Sequence, residues 1–337
     1  MSGSKRYQWL QCARGFAAFA VLLFHFLPQL QRYALEDVFR PVFQWGFWGV
    51  DIFFVLSGFV IAMSAERLQG TGDGLRFLAK RALRIYLGYW PALAIWVGFL
   101  FALSLPLPMD KWFHSLFLTS WSNTAYWLTI SWTLYYELYF YLFFFVLIVL
   151  LPSERRYAAV GLAFLLITLW SGYWVVHHLD TVMAGYQPYR AVLSGYALEF
   201  FMGVFVYRVR NLFSARLDTM CALASVGIIC FCLGMFSHWF DKIEIFRMAS
   251  FGMAAAAVIG IALCLERFKA PTFWVRLGDA SYALYLTHIF VIEVVVWAVG
   301  NFLGFETMLG RSLVYLTPAL CILFALGWYR LIEAPLY

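Results

Sequence analysis

Arg14-Gly15-Phe16-Ala17-Ala18-Phe19-Ala20-Val21-Leu22-Leu23-Phe24-His25-Phe26-Leu27 decides the fold class of this chain. At 3.6 residues per turn the stretch is apolar on every face, and a helix without a polar stripe belongs in a bilayer or deep inside a protein. Its two ionisable residues stand eleven positions apart, about three turns, so Arg14 and His25 share nearly one face, with the histidine roughly 16 Å further along the axis. This first window, near 15–30, is followed by others near 42–64, 85–105, 128–151, 158–177, 191–207, 217–236, 246–265, 281–300 and 311–331. Most approach the ~20 apolar residues that cross a bilayer core. The expected architecture is all-α: a polytopic integral membrane protein with about ten transmembrane helices, one transmembrane domain over residues 1–337 and no fused soluble domain.

The composition excludes the soluble classes. Of 337 residues 64% are hydrophobic and 12% charged, and the mean hydropathy is +0.78; a water-soluble domain needs about 25% charged residues to cover itself. The 24 Lys and Arg outnumber the 18 Asp and Glu, but they stand mostly singly between apolar runs, so no nucleic-acid partner is expected. The six cysteines lie mostly within apolar windows and lack zinc-ligand spacing, as small buried hydrophobes do. His114, His177, His178 and His238 fall at span ends or in outer loops, and no His-x-x-x-His pattern predicts a metal. Lys5 and Arg6 ahead of the first window imitate a signal peptide. With Arg14 and His25 inside it and no small-x-small cleavage pattern, the window reads as a retained span.

Ten crossings place both termini on one face. Seventeen of the 24 basic residues fall on that face, among them Arg67, Arg76, Lys80, Arg155, Arg156, Arg208 and Arg267. Seven fall on the other: Arg32, Arg40, Lys111, Arg190, Lys242, Arg247 and Arg311. Basic loops stay in the cytoplasm, so both termini are expected there. In the longest basic connection, Gly70-Thr71-Gly72-Asp73-Gly74 reads as a turn into a basic amphipathic helix, about 73–84, lying at the inner interface.

Four acidic residues are left inside spans: Asp51, Glu137, Glu199 and Glu293. An ionisable group near the bilayer centre costs at least ~2.5–3.5 kcal/mol, so each requires a partner or a water-filled cavity. Asp51 enters with Gly46-Phe47-Trp48-Gly49-Val50-Asp51 and reaches mid-depth, as His25 does, which predicts an Asp51–His25 pair that readies the imidazole for proton transfer. Ser57 follows, either as a small packing residue or as a nucleophile without the usual elbow sequence. Arg81 and Arg84, three residues apart, share a face at the inner mouth; paired guanidinium groups suit either the phosphates of a substrate or anionic lipid head groups. Glu137 lies in the aromatic stretch Ser131-Trp132-Thr133-Leu134-Tyr135-Tyr136-Glu137-Leu138-Tyr139-Phe140-Tyr141, either paired to an arginine in an aromatic belt or lining an acyl or sugar pocket. His288, in Ser281-Tyr282-Ala283-Leu284-Tyr285-Leu286-Thr287-His288, is a second intramembrane histidine, expected on the cytoplasmic half. A transporter also keeps charges at mid-depth, but its two related halves are not visible as a repeat here.

In this order these pieces resemble acyltransferase family 3, the bacterial inner-membrane O-acyltransferases. The resemblance rests on Arg14 with His25, Gly49 to Phe59, Arg81-Ala82-Leu83-Arg84-Ile85-Tyr86, Trp132 to Glu137, Glu199-Phe200-Phe201-Met202-Gly203, Ser281 to His288, and Glu333-Ala334-Pro335. It covers nearly the whole chain. Two departures stand out: Leu87-Gly88 follows Tyr86 where Pro and a small residue are usual, and Tyr135-Tyr136-Glu137 leaves one carboxylate where a pair is usual. The resemblance implies a multi-pass protein of the bacterial inner membrane that moves an acyl group, commonly acetyl, from cytoplasmic acyl-CoA to a hydroxyl of a cell-surface or secreted glycan or glycolipid. Acyl-CoA is then a donor substrate and no cofactor is bound; the partners are donor, glycan acceptor and membrane lipids. It implies catalytic roles for His25 and Asp51 and substrate contacts for Arg14, Arg81, Arg84, Ser57, Glu137 and His288.

Overall fold

The computed structural model describes residues 7–31, 36–183, 194–213, 216–237 and 243–336. Lys5, Arg6, Arg32, Arg190, His238 and Lys242 lie outside the described residues. Fifteen α-helices follow in order among those described: α1 Gln8–Leu30, α2 Glu36–Phe43, α3 Gly49–Ala65, α4 Gly70–Ala102, α5 Trp112–Phe117, α6 Trp132–Leu150, α7 Ser153–His177, α8 Leu179–Met183, α9 Gly195–Arg208, α10 Leu217–Phe236, α11 Glu244–Arg247, α12 Met253–Leu265, α13 Thr272–Asp279, α14 Ser281–Ala298 and α15 Met308–Trp328. There is no strand among the described residues. The protein is an all-α polytopic membrane protein, with nine helical segments in this part of the chain long and apolar enough to cross a bilayer.

Burial sorts these helices into an inner and an outer set. On α7 and α10 the side chains of Leu162, Leu165, Leu169, Ile228, Ile229 and Leu233 are exposed, an apolar surface suited to a membrane interior. By contrast α9 is apolar nearly all round and buried along most of its length, from Gly195 to Val204, as expected of a helix enclosed by others. The tenth expected crossing, near 191–207, corresponds to this helix. Its 14 residues reach only ~21 Å, too short for the bilayer on its own and adequate inside a bundle.

The chain path gives α9 its direction. One face of the bundle is tied by side chains that reach across to backbone: Glu266 accepts from the amides of Gln8, Trp9 and Leu10 at 3.0, 2.8 and 3.2 Å. Arg156 donates to the carbonyl oxygens of Ala65 and Leu151 at 2.7 and 3.1 Å, and the Tyr207 hydroxyl donates to Glu66 at 2.7 Å. The starts of α1 and α7 and the ends of α3, α9 and α12 therefore share that face. Helix α9 runs beside α3 in the same direction, with Phe54 against Tyr196 and Phe59 against Tyr207. Their backbones touch where Gly58 meets the Phe200 carbonyl and Gly203 meets the Val55 carbonyl; a methyl group at either glycine would overlap the oxygen opposite, so small residues set this approach.

Two local expectations are corrected. Gly70-Thr71-Gly72-Asp73-Gly74 is not a turn before a separate interfacial helix: the turn comes earlier, and α4 begins at Gly70 and continues unbroken for 33 residues. Gly70 takes φ +78°, which glycine adopts without steric cost, and nothing between Gly72 and the third span interrupts the ladder. The amphipathic part and the span are one helix, so Arg81 and Arg84 are held rigidly relative to the membrane-spanning part. The connection from α4 to α6 is also more than an outer loop. Tyr86, Trp90 and Trp96 of α4 donate to the carbonyls of Phe117, Leu116 and Trp127 at 2.9, 3.1 and 2.9 Å. It thus folds back along α4 to the level of Tyr86, with side chains satisfying backbone groups that water would otherwise have to reach.

Candidate active site

Five helices converge on a narrow cavity of about 100 Å³. Arg14 enters it from α1, Ser57 from α3, Arg81 and Arg84 from α4, Glu137 and Tyr141 from α6, and Tyr282 and Tyr285 from α14. The chain separates these residues by more than 260 positions, yet Arg14, Ser57, Arg81, Arg84 and Glu137, all singled out in the sequence, line one space. On α3 the lining runs from Val50, Phe53 and Phe54 to Ser57, Val60 and Ile61, a repeat of three and four that presents one face of the helix. Away from the arginines the wall is therefore apolar and aromatic.

The charged end is braced. Arg81 donates to the Ser64 hydroxyl and its guanidinium lies 5.8 Å from the ring centres of both Phe77 and Tyr141; stacking on aromatic faces restrains a planar cation. The Tyr141 hydroxyl in turn donates to Glu137. Glu333, on the π-helical turn Tyr329–Glu333 that extends α15, is buried and interacts electrostatically with Arg14 and Arg84. Its Oε1 has no hydrogen-bond partner among the described residues. Asp279 also interacts electrostatically with Arg14, so three arginines and three carboxylates meet at this end, with the guanidinium groups and Glu137 facing the cavity. Its geometry suits a phosphate-bearing ligand with a small apolar or ester end directed up the aromatic wall.

At the other end, Tyr285 separates the cavity from two histidines. Its hydroxyl contacts Thr133 Oγ1 at 2.8 Å and donates to the Ile130 carbonyl at 2.9 Å, and its ring centre lies 6.1 Å from that of His288. His288 Nε2 and His25 Nδ1 are 3.1 Å apart. His288 is fully buried, whereas His25 is half-buried. His288, expected to contact substrate on the cytoplasmic half, does not line this cavity and lies at the depth of His25, seven residues along α14 from Ser281.

The expected Asp51–His25 pair is also corrected. Asp51, fully buried, is held by Arg247 through a bidentate pair at 2.9 and 2.7 Å. The Arg247 guanidinium stacks 4.9 Å from the Phe47 ring centre and 5.3 Å from that of Tyr196. Glu199 is buried beside this cluster, packed on Gly252, with neither carboxylate oxygen hydrogen-bonded among the described residues. Sequence reading missed Arg247 because it counted the residue with the outer face, at the edge of the window near 246–265. The available signal was its position one turn before an apolar run: α11 carries it into the segment, and the π-helical Met248–Gly252 follows, an extra residue in the turn that shifts the register of the helix after it. Glu333, Tyr141 and Tyr285 were quoted only within motifs; their meeting depends on tertiary packing.

Known proteins match this chain along most of its length. The family model described as an acyltransferase domain matches residues 7–329. A relative from Rhizobium meliloti (strain 1021), "Exopolysaccharide production protein ExoZ", is 30% identical over 304 residues, covering 86% of this chain and 88% of the relative. No solved structure matches.

Proposed function

The chain belongs to the acyltransferase family whose domain model spans it, and from that premise we propose a membrane-embedded O-acyltransferase that moves a short acyl group, such as acetyl, from cytoplasmic acyl-CoA to a hydroxyl of a cell-surface or secreted glycan. The observation that carries this reading is the convergence of Arg14, Arg81 and Arg84 on one cavity with an aromatic far wall, where Tyr285 stands between the cavity and His288, itself 3.1 Å from His25. Arginine forks bind the phosphates of the donor, and the narrow space beyond them favours a small acyl group. The relative's printed role in exopolysaccharide production supports a glycan acceptor.

In this mechanism His25 is the general base. It takes the proton of the acceptor hydroxyl as that oxygen forms a bond to the thioester carbonyl carbon; the carbon–sulfur bond then breaks and the departing thiolate receives the proton. Asp51 acts at a distance, as the counterion of Arg247 that fixes the α3–α11 junction. Donor and acceptor reach the centre from opposite sides, with both termini in the cytoplasm of a bacterial inner membrane. Ten passes satisfy that topology when α9 is counted.

The test is CoA thiol release by the purified protein in lipid nanodiscs, with acetyl-CoA and a polysaccharide acceptor. His25→Ala is expected to abolish release while the protein stays inserted and monodisperse. Near wild-type turnover by that variant overturns the role of His25, and saturating donor binding by an Arg81→Ala/Arg84→Ala protein overturns the phosphate role. Transport of an anion without thiol release would favour a carrier.

A further inference from the structure

We propose that His288 is a positioning residue: together with the Val21 carbonyl it fixes the tautomer of His25 and leaves Nε2 of His25 as the proton-accepting atom. The proposal rests on the preceding reading of His25 as the base, and it follows from which atoms can donate.

A carbonyl oxygen only accepts. His288 Nδ1 lies 3.0 Å from the Leu284 carbonyl one turn back on α14, so in a neutral ring Nδ1 carries the hydrogen and Nε2 carries the lone pair. That lone pair faces His25 Nδ1 at 3.1 Å. His25 Nδ1 is also 3.0 Å from the Val21 carbonyl, a second group that only accepts. Two acceptors therefore converge on one nitrogen, and both are satisfied only when His25 Nδ1 carries a hydrogen. A neutral imidazole has one, so Nε2 of His25 holds the lone pair.

The same contact supports the charged state. When His25 accepts the hydroxyl proton at Nε2 it becomes an imidazolium, and its Nδ1–H then donates to the His288 lone pair as a charge-assisted hydrogen bond. A buried carboxylate would do this more strongly, but an anion at this depth would itself need a counterion. A neutral ring supplies the acceptor without that cost. His288 suits the task because it is held from several sides: its ring is buried beside Tyr285, and the Thr287 hydroxyl next to it donates to the Ala283 carbonyl at 2.8 Å. The sequence order Tyr285-Leu286-Thr287-His288 thus puts a cavity residue and the histidine's support one turn apart on the same helix.

Two substitutions separate positioning from packing. Gln places a carbonyl oxygen near the site of Nε2, so His288→Gln keeps an acceptor; His288→Leu has similar bulk and none. His288→Gln is expected to retain kcat within about tenfold of wild type, and His288→Leu to lose about a hundredfold or more in kcat, on the scale of general-base catalysis, with the KM for acyl-CoA unchanged in both. Wild-type turnover in His288→Leu, or equal losses in two variants that fold, overturns the proposal. If His288→Leu does not fold, His288→Asn replaces it, since its shorter amide falls short of His25.

A second readout is independent of activity. Solid-state NMR of ¹⁵N-histidine protein in lipid, with His25 assigned by comparison with His25→Ala, is expected to show His25 protonated on Nδ1 in wild type and His288→Gln, and a larger share of the Nε2-protonated form in His288→Leu, where the Val21 carbonyl alone remains as acceptor. A His25 ring protonated on Nε2, or one indifferent to residue 288, overturns the positioning role even if His25→Ala is inactive. The expected tautomer together with an active His25→Ala protein overturns the base assignment and leaves the positioning contact standing.

Discussion

Two groups of buried charge lie on different faces of α3, and they are built for opposite ends. The Asp51–Arg247 cluster is closed: the carboxylate is fully buried, both guanidinium contacts are spent on it, and two aromatic rings cover the cation. The Arg14–Arg81–Arg84 cluster borders a cavity, and its guanidinium groups face that space as well as the carboxylates beside them. A mid-membrane charge is therefore no sufficient mark of chemistry. What distinguishes a site is charge that faces an open space, since a pair enclosed by side chains leaves no room for a ligand.

The sharpest way to break this comparison is to remove Arg247. Arg247→Ala leaves Asp51 buried and unpaired, and the expected loss is about 3–5 kcal/mol of stability, read as a fall in folded yield and in Tm in detergent. Restoring neutrality with Asp51→Leu/Arg247→Met recovers most of it. If the single variant melts like wild type, the cluster is not the closed structural pair described. Next in size, Arg81→Ala/Arg84→Ala is expected to raise the KM for acyl-CoA by at least about tenfold, the equivalent of one lost charge-assisted hydrogen bond, with a smaller fall in Tm than Arg247→Ala gives. An equal fall in Tm in both experiments would erase the distinction between the groups.

Gly58→Ala tests what the groups share. The added methyl meets the Phe200 carbonyl and must push α3 from α9, at an expected cost of about 1–3 kcal/mol. Because α3 carries both Asp51 and Ser57, stability and donor affinity should fall together; an affected Tm with an unaffected KM would show the two faces of α3 to be independent. The smallest effect is expected from Glu266→Ala, which strips the acceptor from three amides at the start of α1. A lost cap costs about 0.5–2 kcal/mol, visible as faster amide exchange at Gln8–Leu10 with little change in kcat.

Much of this was legible in the sequence, for reasons of solvent. A bilayer makes every charged residue conspicuous, so Arg14, Asp51, Arg81, Arg84, Glu137 and His25 could be picked out, and the apolar windows gave the all-α fold. Which charge meets which was not legible. Asp51 and His25 both lie at mid-depth, and only the rotation of α3 about its axis decides that Asp51 faces α11 while Ser57 faces the cavity. The short α9 also escaped correct measurement, because a helix surrounded by protein is not held to the thickness of lipid. The α4–α6 connection read as an ordinary loop since its anchors, Tyr86, Trp90 and Trp96, look like any aromatic residues of a membrane helix.

The cap on α1 carries a lesson about assembly. The amides of Gln8, Trp9 and Leu10 wait for a carboxylate about 257 residues downstream, and His25 waits for a histidine 263 residues downstream. The first of the described helices is thus finished by residues at the end of the twelfth and within the fourteenth. Until they arrive its polar groups must find temporary partners in water, lipid head groups or an insertase, and the reactive histidine acquires its support only when nearly the whole chain is in the membrane.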